Sequence, residues 1–493
     1  MGTERHPGLS GMSLFLPKYR VRLEDWCGWT GNDWNKIQAV VGRSFRILGP
    51  QQNVYTMAAN AVLKLIRDHD VDPTRVGSLA LGTESSTDNA AGAVIVRGMV
   101  DMALERLGMP RLSRSLEVPE FKHACLGGVY ALKNALRFAR TDGKDRQAIV
   151  VAADVAEYER GTTGEPTQGA GAVAMLVEPK PKLLEVDLDG SGSASAYRGP
   201  DFRKPFARHF VDGYASATER IADFPIFSGK YSTFAYVDEV VQAVEDMLSH
   251  QSVTAGKYYR SVRALFFHRP YKMMPVQAMS FLYVRGLARG DHHPDELQQL
   301  CEEAGVSMDE VVAEARSTPD LYGELLAAGE PKNPYAATAA AASLLRKKPA
   351  FRELLDQKMS LGTDALMDMG NLYSAALPAW MAAGLEEAAE QRIDLTGEPM
   401  VAIGYGSGDA SEALPIRAAE SWQEAARRTQ TQAALHEGAV DLSQAQYEAL
   451  HDGKDPGLAP DPKDEFVIAR VGQQYDPGFQ DLGVEYYEYV PAS

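Results

Sequence analysis

Cysteine is scarce. Cys27, Cys125 and Cys301 stand far apart in a chain of 493 residues, so neither a disulfide framework nor a paired CxxC metal site can be built from them. Such usage fits a reducing compartment, where a lone cysteine is packing material or a nucleophile. Positive charge is also short: 50 Lys and Arg against 67 Asp and Glu give a formal net charge of −17. That balance argues against nucleic acid or an anionic membrane as the main partner. Long apolar runs are missing as well. The longest stretch of low charge, Leu372 to Leu385, contains Pro378 and is shorter than the ~18–20 residues of a membrane-spanning helix. The opening MGTERHPGLSGM lacks the basic-then-apolar pattern of a secretory signal. His6 stands where an N-myristoylation signal needs Ser or Thr. A cytoplasmic location is expected. The chain has no low-complexity tract or short repeat, and no P-loop, dinucleotide fingerprint or GxSxG.

What is present is a large apolar fraction, 45% of residues, distributed in an α/β pattern. Short Val- and Ala-rich runs predict strands at Val76–Thr83, Gln147–Val155, Gly169–Glu178, Val262–Pro270, Met400–Gly408, Phe466–Val471 and Glu485–Val490. Apolar residues at helical spacing predict helices over Asn53–Arg67 and Gly128–Ala139. From about Gly286 to Met359 the chain is helical in character, clearest at Asp295–Ala315 and Ala336–Lys348. It reads as an accessory insertion covering part of the core. The segment Glu437–Asp464, rich in Gly, Pro, Asp and His, reads as an exposed loop.

Chemistry concentrates at a few predicted strand ends. Cys125 lies in FKHACLGGVYALKNALRF, between an extended segment and a helix, with two glycines that permit a tight turn. A helix N-terminus would stabilise its thiolate, and the free amides there could hold an oxyanion. The alternative is a small buried hydrophobe, the reading given to Cys27 and Cys301. His268 follows the run ALFF at the exit of a strand, a common place for site residues in α/β proteins. It is equally readable as a core histidine bonded to a carbonyl. Glu84, after VGSLALGT, is either an acid or base with a pKa raised by burial or a helix-starting residue. Asp291 with His292 and His293 reads as a solvated loop, since no further ligand has metal-site spacing. No metal is expected.

Together these pieces resemble the 3-hydroxy-3-methylglutaryl-CoA synthase family of the thiolase superfamily. The resemblance runs from about residue 12 to the C-terminus and is densest over DVAEYERGTTGEPTQGAGAVAML, Asp154–Leu176. Other motifs follow the family's order: TES at Thr83–Ser85, HAC-x-GG around Cys125, DF at Asp201–Phe202 and VDG at Val211–Gly213. FH-x-PY at Phe267–Tyr271, GNLYS at Gly370–Ser374 and YGSG at Tyr405–Gly408 complete the set. The resemblance implies a five-layered αβαβα thiolase-like fold made of two similar halves, residues 1–185 and 186–493, with the helical insertion at about 286–358. It also implies a homodimer and a ping-pong condensation of acetyl-CoA with acetoacetyl-CoA, with no cofactor beyond these thioesters. In that scheme Cys125 carries the acetyl group, Glu84 is the general base on its methyl, and His268 serves the developing alkoxide. Tyr158, Asn371 and Ser407 would position substrate, with Lys272 near the CoA portion and Asp154 and Asp201 as supports.

The sequence departs from the family at several points. Leu126 follows the cysteine where an aromatic is common, and Lys272 precedes Met273, the usual lysine position. Ala375 and Ala376 follow GNLYS, and the segment between His268 and Gly370 is longer than in bacterial members. These departures motivate an alternative in the same family, β-branching on acyl-carrier-protein thioesters in polyketide synthesis. A third class is a non-enzymatic relative, against which the intact Glu-Cys-His set argues.

Overall fold

Nine of the ten residues in the strand Gly169–Glu178 are buried, and Val76–Gly82 is buried throughout. A strand with no wet face must be covered on both sides, and alternation of side chains assigns each side its cover. Val150, Ala152, Val173 and Met175 face the helix Gly127–Arg140 in one core. Their neighbours Ile149, Val151, Ala172 and Ala174 face the helices Val54–Asp68 and Gly92–Arg106 in another. The computed structural model describes residues 6–86, 92–143, 145–204, 224–226, 228–290 and 294–492; Val211–Gly213 and Asp291–His293 lie outside the described residues.

The main sheet has ten strands, and one pairing scheme occurs in it twice. In the first set Gly8–Phe15 pairs antiparallel with Gly169–Glu178, which pairs antiparallel with Gln147–Ala156, which pairs parallel with Val76–Gly82. In the second, Leu184–Val186 pairs antiparallel with Ala410–Ala418, then antiparallel Pro399–Gly406, then parallel Ala264–Phe267. Gly8 and Leu9 join the sets by pairing with Glu185 and Leu184. The helices Gly127–Arg140 and Ala376–Glu390 share the core between the sets. Gly229–Gln251 and Met273–Ala288 pack with the second set. The result is the thiolase-like layering of helices and sheets.

Five strands of the main sheet lie outside the predicted apolar runs, and two of them are long. Gly8–Phe15 carries Gly11 and two serines, and Ala410–Ala418 carries Glu412 and Pro415. Glu412 is nevertheless buried because Lys133 of the helix Gly127–Arg140 sits 2.6 Å from its carboxylate. The insertion consists of the helices Pro294–Ala304, Met308–Arg316, Leu321–Ala328, Ala336–Leu345 and Pro349–Met359. The single helix expected over Asp295–Ala315 is broken by Gly305 in left-handed backbone, φ 69°. Ser307 then caps the next helix by accepting from the Glu310 N–H.

The segment Glu437–Asp464 is not simply an exposed loop. It contains the helix Gln444–His451, and both Tyr447 and His451 are buried. The Tyr447 hydroxyl donates to Glu165 at 2.7 Å, and His451 Nε2 lies 2.8 Å from the Tyr158 carbonyl oxygen. Polar composition concealed two side chains that buttress the loop carrying Tyr158.

Candidate active site

Glycine lets three backbones meet where Cys125 sits. A Cβ on Gly82 would lie 2.5 Å from Gly128 Cα, and one on Gly128 would lie 2.7 Å from the Ser374 carbonyl oxygen. Only bare backbone permits strand end, helix start and GNLYS loop to pack so closely. Residues beside the cysteine are bent as well. Ala124, Phe202 and Tyr373 adopt left-handed φ values of 40°, 47° and 44°, conformations that side-chain-bearing residues hold only when their surroundings over-determine them.

Asp154 is the clamp. It is fully buried and accepts from six donors: the Thr83 and Ser85 hydroxyls, the Glu84 and Ser85 amides, and the Ser374 amide and hydroxyl. One carboxylate thereby fixes the turn that carries Glu84 and the loop that carries Asn371. Burial raises its pKa, while the hydrogen bonds from Ser374, Ser85 and Thr83 oppose the rise.

Cys125 donates through its thiol to Glu84 Oε2 at 3.8 Å. The expectation that the helix end would acidify this thiol is overturned. Burial, together with the charges of Glu84 and Asp154, pushes the Cys125 pKa well above its ordinary value. Nor are the first amides free, since the Leu126 and Gly127 N–H groups donate to the His123 and Ala124 carbonyls. Glu84 itself is raised to about 8, chiefly by burial and then by Asp154, with Lys204 and Lys122 acting in the opposite direction.

His268 is 1% exposed. Its amide donates to the Ile403 carbonyl, and its carbonyl accepts from the Tyr236 hydroxyl at 2.9 Å. The ring stacks on Tyr405 with centroids 6.2 Å apart. Neither ring nitrogen has a partner among the described residues. Burial lowers its pKa to about 3, so at neutral pH it is an uncharged imidazole with one N–H to donate.

Cys125 and His268 line a cleft of about 850 Å³ including its mouth, together with Tyr158, Tyr271, Asn371 and Ser407 among others. Tyr158 hydrogen-bonds Tyr373 and Asn371 through its side chain. The Asn371 side-chain oxygen accepts from the Tyr373 amide at 2.9 Å. Lys272 stands at the N-cap position of the helix Met273–Ala288, without a capping side-chain hydrogen bond, and is exposed beside the cleft-lining Tyr271 and Met274. Cys27 and Cys301 are buried elsewhere. The motifs contained Tyr373, Ser374 and Tyr405, but reading them as letters gave no hint that these three brace the acidic and imidazole groups.

The arrangement can carry an acyl group on sulfur, withdraw a proton beside it and donate a hydrogen bond opposite. A base with a pKa near 8 is only partly ionised at neutral pH. Single-turnover transfer from the acyl-enzyme is therefore expected to rise about tenfold per pH unit below pH 8 and level off above it. A rapid-quench series from pH 6 to 9 checks this; a limb centred near pH 6.5 would assign control to a histidine instead.

Known proteins resemble this chain in sequence and in fold. The family model described as "Hydroxymethylglutaryl-coenzyme A synthase N terminal" matches residues 4–182. A hydroxymethylglutaryl-CoA synthase of Haloferax volcanii is 28% identical over 404 residues, covering 81% of this chain and 80% of that protein. One of Saccharomyces cerevisiae is 24% identical over 412 residues, covering 82% and 73%. In fold, the chain superposes on MvaS in complex with 3-hydroxy-3-methylglutaryl coenzyme A with a TM-score of 0.75 and 24% identity, covering 99% of this chain and 100% of that one. The curacin-pathway HMG synthase bound to an apo donor carrier protein gives 0.70 at 19% identity, covering 99% and 100%. With the motifs in order, the chain is similar to hydroxymethylglutaryl-CoA synthases along most of its length, its residues 4–182 match that family's N-terminal model, and its fold is that of the solved synthases.

Proposed function

We propose that the cleft condenses acetyl-CoA with acetoacetyl-CoA to give 3-hydroxy-3-methylglutaryl-CoA and CoA. The observation that carries this reading is the Cys125 thiol donating to Glu84 beside a cleft lined by the His268 imidazole, which has no partner among the described residues. Cys125 Sγ attacks the acetyl carbonyl and the C–S bond to CoA breaks; the thiol proton leaves with CoA. The Glu84 carboxylate then removes a methyl proton from acetyl-Cys125, and the carbanion forms a C–C bond to C3 of the acetoacetyl group. His268 donates a hydrogen bond to the alkoxide as charge develops there; the alkoxide takes up a proton to become the 3-hydroxyl, and Glu84 gives up the proton it removed. Water cleaves the thioester to Cys125, giving the product carboxylate and restoring the thiol.

Tyr158, Asn371 and Ser407, on the cleft wall, are assigned to holding the acyl groups. Exposed Lys272, at the N-cap of the helix beginning at Met273, is assigned to the CoA phosphates. We further assign the chain to the cytoplasm, to the mevalonate route and to a homodimer. In support of the first, no helix among the described residues is long and apolar enough to cross a membrane. For the last, Glu120–Phe121 is an end strand of the main sheet, an edge that a second copy can cover.

Intact-protein mass after brief exposure to acetyl-CoA is the direct test. One acetyl group is expected on the parent chain and none on Cys125→Ala, whose condensation is expected to drop at least ~10⁴-fold. Acetoacetyl-CoA is expected to discharge the acetyl-enzyme. Discharge only by an acetoacetyl carrier protein would overturn the CoA reading in favour of the carrier-bound one.

A further inference from the structure

A buried polar chain runs from the helical insertion to the ring beneath His268. Tyr335, just ahead of the helix Ala336–Leu345, donates its hydroxyl to Asp238 Oδ1. The other oxygen of Asp238 accepts from Arg198 Nη2, which also donates to Glu239 at 2.7 Å. The next link is an ion pair and not a hydrogen bond: Arg198 Nε lies 3.7 Å from Asp409 Oδ2, and neither atom has a hydrogen-bond partner among the described residues. Asp409 Oδ1 accepts from the Tyr405 hydroxyl at 2.9 Å, and Tyr405 stacks on His268. Tyr335, Asp238, Arg198, Asp409 and Tyr405 are each at most 4% exposed.

The chain is anchored at both ends. The ring of Tyr335 packs edge-on against Phe281 with centroids 6.4 Å apart, and the Arg285 guanidinium lies 5.6 Å from its centroid. Just beyond Tyr335, the Ala337 and Thr338 amides donate to Glu314 of the insertion. At the far end, Ala196 and Asp409 exchange backbone hydrogen bonds of 2.8 and 3.1 Å. The stretch bearing Arg198 is thereby laced to the loop that holds Ser407. Tyr236 closes the arrangement, its ring 4.7 Å from Tyr405 and its hydroxyl on the His268 carbonyl.

We infer that Tyr335 is a positioning residue for condensation: through this chain the insertion holds Tyr405, and with it the His268 ring. The physical reason is an imbalance. Asp238, Glu239 and Asp409 share one guanidinium out of water, and a buried carboxylate that loses a donor must recruit another. Without the Tyr335 hydroxyl, Asp238 draws Arg198 toward itself and loosens its hold on Asp409 and Tyr405. This inference rests on the function proposed above.

The test is Tyr335→Phe in the full chain, which keeps the ring and removes only the hydroxyl. Acetylation of Cys125, which does not use His268, is expected to keep its rate. Condensation from the acetyl-enzyme at saturating acetoacetyl-CoA is expected to slow about tenfold. Adding Tyr405→Phe should cause little further loss. Equal slowing of both half-reactions, or independent losses in the double variant, would overturn the inference. A second readout needs no activity: in chain carrying ¹⁵N-histidine, the His268 ring resonance is the one absent from His268→Gln. It is expected to shift in Tyr335→Phe, and an unmoved resonance overturns the proposal. If the parent chain takes no acetyl group at all, the functional reading fails, while the resonance still decides the role of Tyr335.

Discussion

Glu84→Gln is expected to keep acetylating Cys125, to lose condensation by about 10³–10⁴-fold, and to resist unfolding better than the parent at pH 8. The first two outcomes follow from where each proton goes. Acetyl transfer to sulfur releases the thiol proton with CoA, and removing the Glu84 carboxylate also removes a charge that opposes ionisation of Cys125. Carbon acids beside a thioester are weak, so forming the carbanion depends on the base. Rapid-quench measurement of the two half-reactions separates them; equal loss of both would contradict the division of labour.

The stability outcome follows from linkage. Glu84 titrates at 4.5 in the open chain and at about 8 in place, so between those values the folded state keeps a proton that the unfolded state has released. No penalty exists below pH 4.5; it grows as pH rises to about 8 and is constant above. At one pKa unit per ~1.4 kcal/mol, glutamine is expected to relieve on the order of 2–4 kcal/mol at pH 8 and little at pH 5. Paired urea titrations at the two pH values check it. A parent as stable as the variant at both would show that Glu84 is ionised at no cost.

Asp154→Asn is expected to be the most damaging single-atom change, costing about 3–5 kcal/mol and suppressing both half-reactions together. Six donors converge on this carboxylate, and an amide nitrogen turned toward either group meets donors with a donor. Turned toward Ser374, it releases the loop of Asn371 and Tyr373; turned toward Thr83–Ser85, it releases Glu84. Thermal unfolding and acetyl uptake measured on the same preparation test this. Normal acetylation in a normally stable variant would reduce Asp154 to a bystander.

Much of the candidate site was legible because Glu84, Cys125 and His268 stand at or just beyond strand ends in short motifs. Glu84 and His268 follow runs whose apolarity announces buried strands, and Cys125 sits against glycines that only a close approach requires. Its acidity was not legible. Local sequence placed it at a helix start, where a dipole favours thiolate, whereas burial by the assembled fold, with Glu84 and Asp154 arriving from other strands, raises its pKa. The strand Ala410–Ala418 was hidden by a glutamate whose counter-ion, Lys133, lies far away in sequence. Tyr335 was hidden for a similar reason, since an alanine-rich flank gives no sign of a hydroxyl reaching Asp238.

The doubled pairing scheme also has a consequence for synthesis. Gly8–Phe15 lies between Gly169–Glu178 and Leu184–Val186, so it is translated long before either neighbour exists. At ~5–20 residues per second, the ribosome leaves this strand without both partners for roughly ten to thirty seconds. During that interval a strand with two open edges is a ready template for wrong pairing. Made well before its neighbours, this strand is among the last of the sheet to find its place.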